Sequence, residues 1–185
     1  MNRRDALTLL LTGSGAGVHA QDSPRFAALL RTGGCAVMVR HAATVPGIGD
    51  PPNFRLGDCS TQRLLSDAGR AQSRRIGLWF RAQQLQARAV QSSAWCRCRD
   101  TADLAFGQHA VLAALNSTFD DSSRQPAQTL VLRQRLLDIP PGQFAVWVTH
   151  QVNITAITGE WAGIGEAFIL SAKGELLARS MELVA

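Results

Sequence analysis

Apolar positions along this chain fall into two recurring patterns: short solid runs, and longer stretches in which apolar residues return every three or four positions. The first solid run, Cys35–Arg40, reads Cys-Ala-Val-Met-Val before its terminal Arg. A strand that is apolar on both faces must be covered on both, so this run predicts a central strand. Residues 44–58 carry three Pro and three Gly and read as a loop. Ser66 then offers an N-cap oxygen, and Ala68, Ala71, Ile76, Trp79 and Phe80 can share one side of a helix of about four turns.

A short strand over 89–93 and a helix over 97–106 follow, and a further helix is predicted over Gln125–Leu137, with Leu130, Leu132, Leu136 and Leu137 among its apolar positions. The second solid run, Phe144–Thr149, leads into His150. Strands over Ala167–Ser171 and 176–183 flank Ala172-Lys173-Gly174-Glu175, whose Lys-Gly centre suits a hairpin turn. Strands alternating with helices define an α/β fold, a three-layer sandwich with a mostly parallel central sheet and helices on both faces. Ligands of such sheets bind beyond the carboxyl ends of the strands. That rule brings Arg40-His41, residues 92–97 and His150 to one rim.

Length and composition add a boundary. At 185 residues, 46% hydrophobic and 18% charged, the chain is sized for one core, a single domain over 21–185. Residues 1–20 read as a cleaved signal peptide: Arg3-Arg4 precedes a short apolar run, and Val18 and Ala20 suit a small-residue cleavage site before Gln21. Arg3-Arg4-Asp5-Ala6-Leu7 also resembles a twin-arginine export signal, with the general secretory route as the other option. A retained amphipathic helix is the competing reading of this segment. The run is too short to span a bilayer, so the mature form is expected without a membrane span, in the periplasm or secreted.

The formal charge of +5 comes mostly from Arg scattered between Arg25 and Arg179. Scattering gives no indication of a nucleic-acid-binding tail and suits an anionic ligand, although a basic balance that merely keeps the protein soluble fits as well. Four cysteines, Cys35, Cys59, Cys96 and Cys98, allow three complete pairings in an oxidising compartment. They lack the spacing of a zinc site. One bridge between Cys59 and either Cys96 or Cys98 is expected, with Cys35 buried as a small hydrophobe in its strand.

The candidate chemistry lies at the strand ends. Arg40-His41-Ala42-Ala43-Thr44 directly follows the first strand, Arg97 opens a helix four residues before Thr101, and His150 terminates the late strand. An imidazole must be neutral to attack phosphorus, and nearby guanidinium groups disfavour its protonation while they hold the anion it attacks. Arg presents a planar fork of donors matched to phosphoryl oxygens. Two histidines and two arginines from distant segments supply the residue types for phosphoryl transfer.

Arg40-His41-x-x-Thr44, Leu65-Ser66-x-x-Gly69-x-x-Gln72, Ser93-x-x-x-Arg97-x-x-x-Thr101-Ala102 and Val148-Thr149-His150, in this order, resemble the signature of the histidine phosphatase superfamily over residues 35 to 170. Ala42 replaces the glycine usual after the nucleophile. The resemblance implies a phosphoglycerate mutase-like fold, His41 as the nucleophile that becomes phosphohistidine, and Arg40, Arg97 and His150 as the phosphate pocket, with Thr44 at the substrate. Arg63 resembles a further basic residue at the site entrance, and a solvated charge is its plain alternative.

In the mutase-like branch a Glu between the second Arg and the late His is the acid that protonates the leaving oxygen. The matching interval here, Leu115-Asn116-Ser117-Thr118-Phe119-Asp120-Asp121, holds no Glu. Asp120 and Asp121 are the candidates, with Glu166 as a second option. Gln151 stands where the acid-phosphatase branch has an Asp, which argues against that branch. The four tryptophans read mostly as core, with Trp95 close enough to Arg97 to line a pocket.

The implied activity is hydrolysis of a phosphate monoester outside the cytoplasm, without metal or cofactor. The partner would be a small phosphorylated substrate or a phosphorylated envelope component, with no nucleic acid. The rivals are a phosphoglycerate mutase-like isomerase and a catalytically weak phosphate-binding protein. Substrate choice would be shaped by the loops 45–58 and 116–125.

Overall fold

The computed structural model describes residues 22–47, 49–180 and 183. The expected signal peptide lies outside them. Among the described residues the elements are α1 (Asp22–Thr32), β1 (Cys35–Arg40), α2 (Asp67–Ala82), β2 (Ala89–Ser92), α3 (Cys96–Phe106), β3 (Ala110–Val111), α4 (Gln125–Leu137), β4 (Phe144–Thr149), α5 (Gln151–Thr158), β5 (Ala167–Ser171) and β6 (Leu176–Ser180). One six-stranded sheet runs β3-β2-β4-β1-β5-β6. Its β3-β2-β4-β1 part is parallel, and β5 and β6 close one side as antiparallel strands.

The alternation of a pleated strand sorts β1 onto two cores. Val37 and Val39 meet Phe26, Leu30, Ile76, Trp79 and Ala102, which puts α1, α2 and α3 on one face. Ala36 and Met38 meet Leu132, Leu136, Trp147 and Ile154, which puts α4 and α5 on the other. Both faces are thus covered, as the solid apolar run demanded, and the architecture is the three-layer α/β sandwich. Helices α2 and α3 pack closely because Gly77 lacks a side chain: a Cβ there would lie 2.1 Å from the Ala105 carbonyl oxygen.

Several sequence expectations need correcting. Helices α1 and α5 were not anticipated. Ala68 is exposed, and so are Leu130 and Leu137 on the outer side of α4, while Leu132 and Leu136, one turn apart, face the sheet. Trp79, Trp95 and Trp147 are core residues, but Trp161 is 68% exposed. No helix among the described residues is long and apolar enough to cross a membrane. The cysteine choice resolves to a Cys59–Cys96 disulfide, leaving Cys35 and Cys98 as buried thiols. Burial pushes these thiols up, Cys35 to about 11 and Cys98 to about 12.

Candidate functional site

Sheet register creates the site. Arg40 is opposite Thr149 in the parallel β1–β4 pair, so the next residues, His41 and His150, leave the sheet side by side. The His41 backbone N–H donates to the Thr149 carbonyl (2.9 Å), and the two imidazole centroids are 5.5 Å apart. The neighbouring strand adds Ser93, whose N–H donates to the Val148 carbonyl (3.0 Å).

The other motif residues grip the turn after His41. Ala42 N–H donates to Thr101 Oγ1 (3.1 Å), and that hydroxyl donates to the Arg97 carbonyl (2.7 Å). Ala43 N–H donates to Gln72 Oε1 (3.0 Å), and Ser66 N–H donates to the Ala43 carbonyl (3.0 Å). Ser66 Oγ caps α2 by accepting from Gly69 N–H (3.1 Å). Gly69 is required by proximity, because a Cβ there would stand 1.8 Å from the Ala43 oxygen. The spaced pattern of small and polar residues on α2 and α3 is therefore a set of braces on the segment that carries His41.

His41 is buried, and its Nδ1 lies 2.9 Å from the Ala42 carbonyl oxygen. A carbonyl only accepts, so Nδ1 carries the hydrogen and Nε2 keeps its lone pair. Burial first, then the Arg97 charge, lower the imidazole from 6.5 to about 3. The ring is neutral at any ordinary pH. His150 is lowered well below its ordinary value by the same two causes in the same order. Arg97 Nη2 donates toward His150 Nδ1 (3.4 Å), which leaves His150 Nε2–H to donate to Ser93 Oγ (2.8 Å), and that hydroxyl donates to Asn116 Oδ1 (3.2 Å).

Arg40, Arg63 and Arg97 line one cleft with the two histidines. Arg40 Nη1 donates to the Ala162 carbonyl (2.7 Å) and Arg63 Nη1 to the Gly47 carbonyl (2.8 Å). Each of the three guanidinium groups also keeps a buried Nε–H with no acceptor. Burial and the neighbouring guanidinium charges lower Arg40 and Arg63 below their ordinary range. Arg63 is half-buried and lines the cleft.

The group that sequence reasoning missed is Asp50. Its carboxylate accepts from Arg97 Nη1 (2.8 and 2.9 Å), from Trp95 Nε1 (3.2 Å) and from Arg63 N–H (3.0 Å). Both side chains of the Arg97–Asp50 pair are about nineteen-twentieths buried, at 5% and 6% exposure. A signal was present: a buried Arg needs a counterion, and Asp50 is an acid set among Gly and Pro in the loop that follows His41. The Cys59–Cys96 bridge and the Cys96 N–H, which donates to Gln62 Oε1 (2.9 Å), tie this region to the start of α3. Trp95 packs edge-on against His150 (5.3 Å) and holds Asp50, and it does not line the cleft.

The acid candidates separate. Asp120 is exposed and lines the cleft. Asp121 points elsewhere, accepting from Ser123 N–H (3.1 Å) and pairing with Arg124 (3.1 Å). Glu166 is buried in the fold, where its carboxylate accepts from Gly163 N–H (2.6 Å) and from Arg179 Nε (2.7 Å), so it is a structural ion pair and no acid. Thr44 bridges to Leu65 and lies outside the cleft lining, contrary to its expected place at the substrate. Among the described residues no group of three or more His, Cys, Asp or Glu could hold a metal ion.

Fold and site together define an α/β protein with paired histidines at a strand-end cleft lined by three arginines. No protein-family model and no curated protein matches the sequence. Solved structures do match it. TTHB049 from Thermus thermophilus superposes with a TM-score of 0.55 at 18% identity, covering 79% of this chain and 98% of that one. SixA from Agrobacterium tumefaciens, assigned as a phosphohistidine phosphatase, gives 0.55 at 18% identity, covering 78% and 96%. A phosphoglycerate mutase from Thermus thermophilus gives 0.54 at 18% identity, covering 79% and 98%. The chain has the phosphoglycerate mutase-like α/β fold of these structures.

Proposed function

We propose that this chain is an exported phosphomonoesterase that works through a covalent phosphohistidine on His41. The observation that carries the reading is the neutral imidazole of His41, its Nδ1–H held by the Ala42 carbonyl, lining one cleft with the guanidinium groups of Arg40, Arg63 and Arg97. A phosphoryl group offers oxygens matched to the planar fork of donors that each guanidinium presents.

In the first step the Nε2 lone pair attacks phosphorus, the bond from phosphorus to the ester oxygen breaks, and that oxygen takes a proton. Nδ1–H stays on the Ala42 carbonyl, which supports the positive charge of the phosphorylated ring. Arg40, Arg63 and Arg97 hold the phosphoryl oxygens through transfer. Asp120, the cleft carboxyl that is free of ion pairs, supplies the proton. In the second step water attacks phosphorus, gives a proton to Asp120, and the bond to Nε2 breaks, releasing orthophosphate.

A periplasmic or secreted location rests on the signal-like residues 1–20 and on the disulfide, which persists in oxidising compartments. The fold neighbours named as a phosphohistidine phosphatase and a phosphoglycerate mutase agree with histidine chemistry.

The test uses the purified protein and a chromogenic aryl phosphate, with and without a chelator, beside His41→Ala. The expected result is turnover indifferent to the chelator and abolished by the substitution. Turnover that dies with the chelator, or survives without the imidazole, overturns the mechanism. Interconversion of phosphoglycerates faster than phosphate release would mark an isomerase instead.

A further inference from the structure

Among the described Trp and Phe residues only Trp161 and Phe119 are exposed, at 68% and 66%, and both line the cleft that contains His41. Single exposed apolar side chains are ordinary. Two aromatic rings from separate segments, converging on a cleft lined otherwise mainly by charged and polar residues, are a different observation.

Both rings stand on fixed backbone. Phe119 N–H donates to Ser117 Oγ (3.2 Å), and Ser117 and Thr118 beside it are buried. Trp161 sits between Glu160, whose carbonyl accepts from Thr155 Oγ1 (2.7 Å), and Ala162, whose carbonyl accepts from Arg40 Nη1 (2.7 Å). Arg40, the last residue of β1, thus braces the segment carrying Trp161. Aromatic side chains lose little freedom on binding, and a fixed backbone lowers the ordering cost further.

Volume says what they would touch. The cleft encloses about 250 Å³, below the ~300–1,000 Å³ that surrounds a drug-sized ligand. A phosphoryl group held on the arginines takes up only part of that space, and the organic part of an ester extends from there toward Phe119 and Trp161, the exposed residues of the lining. Asp120, the proposed proton donor, directly follows Phe119, so the ester oxygen and the group attached to it belong on this side.

We propose that Trp161 and Phe119 form the leaving-group subsite, and that the preferred substrates are phosphate esters whose leaving group presents a flat apolar face, an aromatic ring above all. The proposal rests on the phosphomonoesterase reading. It adds a selectivity that the anion pocket by itself does not provide, because stacking and ring burial favour a flat partner over a hydroxylated chain.

Binding of non-hydrolysable phosphonates by calorimetry separates the two readings, since it needs no turnover. Benzylphosphonate, methylphosphonate and 2-hydroxyethylphosphonate are titrated into the wild-type protein, Trp161→Ala, Trp161→Phe and Phe119→Ala. Benzylphosphonate is expected to bind about tenfold more tightly than the other two, equivalent to about 1.4 kcal/mol. Trp161→Ala should reduce that preference to about twofold or less, Phe119→Ala should reduce it in part, and Trp161→Phe should retain most of it. Equal binding of all three ligands by the wild-type protein, or a stronger preference for the hydroxyethyl compound, overturns the aromatic subsite and leaves the anion pocket standing. Failure of all three to bind overturns both readings.

Discussion

Replacing Asp50 with Asn tests how the resting cleft is neutralised. The substitution keeps the shape and one acceptor oxygen but removes the only negative charge bonded to Arg97 among the described contacts. A hydrogen bond to a charged group is worth about 1.5–3 kcal/mol, and losing most of that inside a nearly dry pair sets the expected loss of stability. For a chain of this size each kcal/mol lowers Tm by about 2–4 °C, so the variant should melt roughly 3–12 °C below the wild type in phosphate-free buffer.

The anion site should respond in the opposite direction. A phosphoryl group held by the same guanidinium would lie about 5 Å from the Asp50 carboxylate, where two unit charges at an effective dielectric of about 20 repel by about 3 kcal/mol. Even if screening and relaxation halve that figure, phosphate should bind Asp50→Asn about tenfold more tightly. Thermal melts across a phosphate titration read both effects. Phosphate at about 100 times its Kd adds about 2.7 kcal/mol, enough to return most of the lost stability. A variant that loses stability and also binds phosphate more weakly would refute this reasoning, because Asp50 would then serve to aim Arg97 at the anion instead of competing with it.

Three further outcomes follow from the same geometry. His41 is neutral in the folded protein down to about pH 3, whereas the unfolded chain takes up its proton near 6.5. Its contribution to stability is therefore complete above about pH 6.5 and declines by up to ~1.4 kcal/mol per unit as pH falls toward 3, with His150 acting in the same direction; His41→Asn should flatten urea-unfolding stability between pH 6 and 4 by about one such slope, and an unchanged slope would mean that the folded ring is charged. Cys59→Ser opens a loop of 37 residues of sequence separation and should cost about 4 kcal/mol by chain entropy, with weaker phosphate affinity because Asp50 and Arg63 loosen against α3; urea denaturation beside inhibition by phosphate reads both. Gly69→Ala drives a methyl group against the Ala43 carbonyl and should destabilise by about 1–3 kcal/mol while lowering kcat far more than Ala substitution at exposed Arg74, since Ala43 is two residues from the nucleophile; equal kcat values would detach this close contact from catalysis.

Much of the framework was legible before any coordinates. Solid apolar runs marked β1 and β4, the strand Ala167–Ser171 was bounded as β5 is and Gln125–Leu137 as α4 is, because period and punctuation are local properties of the chain. Gly69, Gln72 and Thr101 stood out as part of the signature-like pattern, and their role as braces on the His41 turn came from the structure. Helix α5 was not legible: its eight residues, Gln-Val-Asn-Ile-Thr-Ala-Ile-Thr, are rich in β-branched side chains, and the helix is held by packing of Ile154 and Ile157 against the sheet and α4.

The remaining decisions were tertiary. Cys96 and Cys98 are two positions apart on a helix, about 200° around its axis, so one faces the 44–61 region and bonds Cys59 while the other faces His150 and the sheet. Nothing local says which, because the answer is the rotation of α3 about its own axis, set by packing against α2 and β4. Asp50 was invisible for a related reason: a counterion is chosen by distance in space, and a loop rich in Gly and Pro has no period from which that distance can be read. Hydrophobic spacing settles which elements exist and which side of each is dry, since water acts on every residue in the same way. Which polar side chain meets a particular buried charge depends on how those elements are stacked, and only the assembled sheet and its helices bring Asp50, Arg97 and the two imidazoles to one place.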